Sequence, residues 1–134
     1  MEQVKVSKEQ QLKDYNTVAN FLMSGNKKEV KEFTEQLNWE KFTTDCFEFM
    51  DIKFIRKYKD YIDWGYISTQ TLTEDFIREF YEYIDWETIC ERQQLSEELI
   101  REFADFVDWE MVDCFQHISN EFREEFKEYL EETE

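Results

Sequence analysis

Very few residues in this chain have side chains suited to catalysis. His117 is the single histidine, so any Ser-His or Cys-His nucleophilic site would have to use it as the base. Its nearest partners are Cys114, three residues earlier and within reach across one helical turn, and Ser119. The repeat pattern described below turns these positions towards a neighbouring unit, and packing is their expected role. A structural zinc site normally draws on two closely spaced ligand pairs. Cys46 and Cys90 stand far apart, which leaves only Cys114-x-x-His117. Three cysteines without a CxxC do not read as a disulfide framework but as reduced, half-buried packing residues. No catalytic residue, metal or cofactor is expected.

Carboxylates are the abundant chemical group: 33 Asp and Glu against 16 Lys and Arg, a net charge of −17. General acid-base catalysis requires two acids in unlike, partly buried environments. Most acids here instead fall on expected solvent faces. Asp75, Glu79 and Glu82 lie at i, i+4 and i+7, opposite an apolar stripe, as do Glu98, Glu102 and Asp105, and then Glu121, Glu125 and Glu128. Neighbouring side-chain bases in such a row are ~5–6 Å apart. With consecutive helices ~8–10 Å apart, three rows make a lattice of carboxylates. Only Arg78, Arg92, Arg101, Arg123 and Lys127 are nearby to neutralise it. The lattice reads either as a solvated face that keeps a small protein in solution or as a surface that occupies a basic groove, reached by electrostatically steered association. The acidity is confined to one half: residues 1–71 carry 11 Lys/Arg and 12 Asp/Glu, whereas residues 72–134 carry 5 and 21.

Such a charge disfavours direct contact with nucleic acid or anionic membranes and favours a basic protein partner. There is no glycine-rich phosphate loop, and no run of basic residues interleaved with aromatics. No apolar stretch approaches the ~20 residues of a membrane span, and the opening Met1-Glu2-Gln3-Val4-Lys5 has no apolar signal core. A soluble, cytoplasmic protein is expected.

These acids must be positioned by helices. The chain has no proline and two glycines, Gly25 and Gly65, so the usual punctuation of hairpins is missing. The tryptophans Trp39, Trp64, Trp86 and Trp109 recur at 22 to 25 residues, each directly after Asn38, Asp63, Asp85 or Asp108, a period that marks stacked supersecondary units. The spacing predicts one all-α domain over 1–134: an N-terminal helix within 1–24, repeats over 25–49, 50–71, 72–94 and 95–117, and a polar capping copy over 118–134. Ser7 would cap the first helix, whose Leu12, Tyr15, Ala19 and Leu22 share a face.

Within a repeat, Asp51, Thr73, Ser96 and Ser119 stand where a helix N-cap belongs. The apolar series Phe76, Phe80, Tyr83 and Ile84, with its copy Leu99, Phe103, Phe106 and Val107, forms one stripe. If Asp85 caps a second helix, Ile84 and Ile89 occupy the two positions of a hydrophobic staple, and Val107 with Val112 repeats the pairing. Each repeat is then a helix-turn-helix, too short to bury its stripe alone, and the copies stack into a small α-solenoid or spiral bundle. Arg123 and Glu132, at apolar and tryptophan positions, suit a terminal cap. Phe47, Phe49, Phe54 and Tyr58 cluster in sequence and read either as an apolar contact patch or as the junction of a longer first unit.

Units ending in IDW or VDW after [ST]-E-x-[FL]-I-R-E-F resemble the short Asp-Trp helical repeats of bacteriophage and large DNA virus proteins, over about residues 50–117. The resemblance implies a fold more than an activity. In composition the chain is similar to the acidic phage anti-restriction and anti-CRISPR proteins that mimic DNA. That likeness implies a non-enzymatic inhibitor, acting in the host cytoplasm, whose nine stripe carboxylates block a basic host protein such as a nuclease or CRISPR effector. A helical-repeat adaptor that binds through an apolar groove, with acidity serving only solubility, is the other expectation. Oligomeric state stays open.

Overall fold

The computed structural model describes residues 7–131, and these are all-helical. Two compact units follow one another along the chain, Met1–Tyr66 and Ile67–Glu134. No described helix is long and apolar enough to cross a membrane.

The first unit holds α1 (Lys8–Ser24), α2 (Lys27–Gln36), α3 (Trp39–Cys46), a short 3-10 turn (Phe47–Phe49) and α4 (Ile52–Lys57). Ser7 caps α1 as expected, its hydroxyl accepting from the Gln10 N–H. Tyr15, Ala19 and Leu22 of its apolar face are buried, but Leu12, one turn earlier, is 42% exposed. The chain leaves α1 at Gly25, where a Cβ would come within 2.5 Å of the Phe21 carbonyl oxygen. Of the two readings of Phe47, Phe49, Phe54 and Tyr58, the junction is the one that forms: Phe54 and Tyr58 are core residues, and Phe47 and Phe49 are half-buried. Phe54 lies edge-on to Tyr15, and the Tyr58 hydroxyl donates to the Leu22 carbonyl at 2.6 Å, so the chain folds these rings against α1.

Helix α5 (Trp64–Ser68) spans the boundary between the units. The second unit then alternates short helices: α6 (Glu74–Glu79), α7 (Trp86–Arg92), α8 (Glu97–Glu102), α9 (Trp109–Phe115), α10 (Asn120–Glu125) and α11 (Lys127–Glu131). Every expected cap in it is made. Thr73, Ser96 and Ser119 accept from the N–H three residues on, as do Asp85 and Asp108. Both staple pairs are buried: Ile84 with Ile89, and Val107 with Val112. Successive second helices pack on one another, α7 on α9 and α9 on α11. Ile77, Ile89, Leu99, Ile100 and Val112 are sealed completely.

The first helices are shorter than their apolar stripe suggested. Phe80 and Phe103 leave helical geometry (φ −110°, ψ 27° and φ −109°, ψ 34°), and one tight turn carries the chain to the next cap. Phe106, beyond that break, is 46% exposed instead of buried. Arg123 at the polar end is exposed and pairs with Asp113 at 2.9 Å; Glu132 lies outside the described residues.

Truncating a sealed core residue removes its transfer free energy and leaves a cavity. Ile100→Ala should therefore lower the urea-unfolding free energy by about 3 kcal/mol. Leu12→Ala, on the exposed end of α1, should change it by less than ~0.5 kcal/mol.

Candidate protein-interaction surface

One joint repeats at each of the four tryptophans and fixes where the acids stand. The aspartate or asparagine before each tryptophan caps the second helix, and the tryptophan indole N–H donates back to the carbonyl five residues earlier. Trp39 reaches Thr34, Trp64 reaches Lys59, Trp86 reaches Tyr81 and Trp109 reaches Ala104, all at 2.7–3.0 Å. The backbone N–H of the capping aspartate is satisfied by the preceding repeat: Asp63 donates to the Thr43 hydroxyl at 3.0 Å and Asp85 to the Ser68 hydroxyl at 2.9 Å. Asp108 donates to the Cys90 sulfur. All three acceptors are fully buried. After Trp39, Trp64 and Trp86 a buried acceptor thus stands four residues on for the next repeat to use. The tryptophan also lies against two rings of the following repeat: Trp86 against Phe103 and Phe106, and Trp109 against Phe126 and Tyr129.

On that frame all nine expected stripe residues, Asp75, Glu79, Glu82, Glu98, Glu102, Asp105, Glu121, Glu125 and Glu128, are exposed. They do not form continuous helical rows. The first helices end at Glu79, Glu102 and Glu125, so Glu82 and Asp105 stand on the tight turns and Glu128 on the separate helix α11.

Nor is the lattice uncompensated. Arg78 bonds Glu102 at 3.1 Å, and Arg101 grips Glu125 with two hydrogen bonds of 2.8 and 3.0 Å. Arginine in one repeat and glutamate in the next therefore form a ladder, and Arg78 also lies 3.5 Å from Asp75. The hydrogen bonds from Arg101 hold the Glu125 carboxyl below the ordinary carboxylate range, and those glutamates hold both guanidiniums above their ordinary value.

A second ladder joins the caps. Glu74 accepts from both the N–H and hydroxyl of Ser96 at 2.8 Å, and Glu97 does the same for Ser119. Here the acid that opens one first helix clamps the cap of the next. Gln116 belongs to the same scaffold, accepting from the Leu95 N–H and donating to the Cys90 and Gln93 carbonyls at 2.7 Å each. Gln93 makes a matching bridge to Leu72 through its N–H and carbonyl. The signal for these partners was the repeat register itself, since they lie 21 to 26 residues apart.

After these pairings the uncommitted acids are a smaller set. Among the described residues no cation lies within ion-pair distance of Glu98, Asp105, Glu121 or Glu128. Asp105 and Glu128 directly precede the exposed rings of Phe106 and Tyr129.

The residues that sequence marked for nucleophilic chemistry are dispersed into structural work. The Ser119 hydroxyl accepts from the Phe122 N–H and donates to Glu97. His117 is exposed and its backbone N–H meets Gln94. Cys46 and Cys90 are buried, which pushes their thiols up to about 11. Cys114 is exposed, contrary to the half-buried position expected, because it lies on the face of α9 turned away from the buried Val112.

No protein-family model, curated protein or solved structure matches this chain.

Because Arg101 lowers the folded-state pKa of Glu125, the pair's stabilisation is present above the unfolded carboxylate value and disappears as pH falls through the folded one. In Arg101→Ala, the Glu125 carboxyl should titrate at higher pH by carbon-13 NMR. An unchanged titration would contradict the ladder.

Proposed function

We propose that this chain is a non-enzymatic, protein-binding inhibitor whose acidic second unit occupies a basic, nucleic-acid-binding surface of another protein. A phage anti-defence role against a host nuclease or CRISPR effector is the setting that the repeat and composition suggest. The observation that carries the reading is the sorting of carboxylates. Those that could destabilise the stack are tied to Arg78, Arg101, Ser96 and Ser119, while Glu98, Asp105, Glu121 and Glu128 stay exposed, with no cation of the described residues within ion-pair distance. Preorganised like charges repel one another in the free protein, so their repulsion is relieved when a cationic groove meets them.

Charge also gives the partner a fast approach and a steep salt dependence. Screening shortens the reach of exposed charges from ~10 Å at 0.1 M salt to ~3 Å at 1 M. An adaptor that binds through exposed rings instead has a specific observation in its favour, the half-exposed Phe106, Phe115 and Tyr129. The two readings respond oppositely to salt, since apolar burial does not weaken with ionic strength.

The test is capture from bacterial lysate on the immobilised chain, followed by calorimetry with the retained protein. Changing Glu98, Asp105, Glu121 and Glu128 together to lysine should abolish binding at low salt and leave the circular dichroism unchanged. Wild-type binding should fall steeply with salt. Affinity that survives the four reversals and rises with salt, and is lost in Phe106→Ala, would replace the acidic-face reading with the adaptor.

A further inference from the structure

The near-neutral first unit contains a site of opposite polarity. Between α1, α2 and the end of α4 lies an open pocket of about 300 Å³, lined by Lys27, Lys31 and Lys57 together with Met23, Tyr58 and Tyr61. Lys27 and Lys31 are one helical turn apart on α2, and Lys57 lies 5.7 Å from the centre of the Tyr58 ring.

Two features set this pocket apart from an ordinary surface hollow. The chain has about two acids for every base, yet no aspartate or glutamate lines the pocket, and among the described residues none of its three lysines has an ion-pair partner. Arg78, Arg101 and Arg123, by contrast, each hold a carboxylate. Lysines gathered around one pocket repel one another until an anion joins them. The pocket also has an apolar wall: the buried Tyr58 is anchored by its hydrogen bond to Leu22, and Tyr61 and Met23, at 46% and 40% exposure, form the rim. Tyr61 is itself held by two rings, Trp39 at 5.2 Å and Tyr58 at 6.0 Å, and still stands 46% exposed.

We infer that this pocket binds a small molecule carrying a phosphate or carboxylate on a flat apolar ring, with the anion among Lys27, Lys31 and Lys57 and the ring against Tyr61 and Met23. The volume is at the lower end of small-ligand sites. Each lysine contact is a charge-assisted hydrogen bond, and the ring adds stacking on Tyr61 and a sulfur contact to Met23. The inference stands on the first unit alone and does not depend on what the acidic face binds.

Nitrogen-15 NMR titration of the full chain tests it with four probes: phenyl phosphate, benzoate, inorganic phosphate and phenol. Phenyl phosphate or benzoate should bind in a saturable way and shift the amides of residues 22–34 and 57–61. The tighter of the two names the anionic group. Inorganic phosphate and phenol should each bind at least about tenfold more weakly, because each keeps only half of the recognition. Lys31→Ala and Lys57→Ala should weaken the ring-bearing anion by about tenfold or more, Lys31→Arg much less, and Tyr61→Ala should remove the preference over inorganic phosphate. Equal binding of inorganic phosphate and phenyl phosphate, shifts outside these segments, or unchanged affinity in correctly helical lysine variants would overturn the proposal.

Discussion

Helices of five to eight residues do not hold themselves together in water, and after Gln36 the described chain contains no longer ones. Everything else follows from how each of these fragments is completed by its neighbours. The joint before each tryptophan supplies most of the answer. Asp85 or Asp108 caps the helix ahead, the indole N–H of Trp86 or Trp109 closes the turn behind, and the aspartate N–H reaches a buried acceptor in the repeat before. One residue pair thus satisfies backbone groups on three segments, which would otherwise be stranded at helix ends. Apolar burial of Ile77, Ile89, Ile100 and Val112 then drives the copies together.

This economy has a consequence for charge. A helix of six residues has a first turn and a last turn and little between, so acids favoured at its start and bases favoured at its end face the corresponding residues of the next copy. Glu74 and Glu97 meet the caps of the following helices, and Arg78 and Arg101 meet glutamates one repeat on. The dense acidity of the second unit is compatible with stacking because part of it is structural glue. Among those left without an ion pair are Glu98, Asp105, Glu121 and Glu128, all exposed. The first unit shows the reverse distribution, with lysines around a pocket and no carboxylate among them.

Much of this architecture was legible in the sequence, for reasons that can be located. Caps and staples are local: Thr73 with the N–H of Phe76, or Ile84 with Ile89, involve residues three to five apart and follow fixed helix geometry. The exposure of all nine stripe acids was legible for the same reason. Their grouping into straight rows was not, because the break at Phe80 and Phe103 has no proline or glycine to announce it; the turn is imposed by the cap and tryptophan that follow. The arginine–glutamate ladder was hidden in the register, Arg78 meeting Glu102 and Arg101 meeting Glu125 at a separation of 24 residues. The buried acceptors Thr43, Ser68 and Cys90 shared no residue type, only an atom able to accept a hydrogen bond, so comparison of the repeats by letter passes over them.

Competition with DNA examines the acidic face most directly. A fluorescent duplex bound to the protein captured by this chain should be released as the chain is added, with loss of anisotropy and no ternary species. Release should fail with the four lysine reversals. A stable ternary complex in which duplex and chain are held together would show that the acidic unit does not occupy the nucleic-acid surface, and would contradict the account.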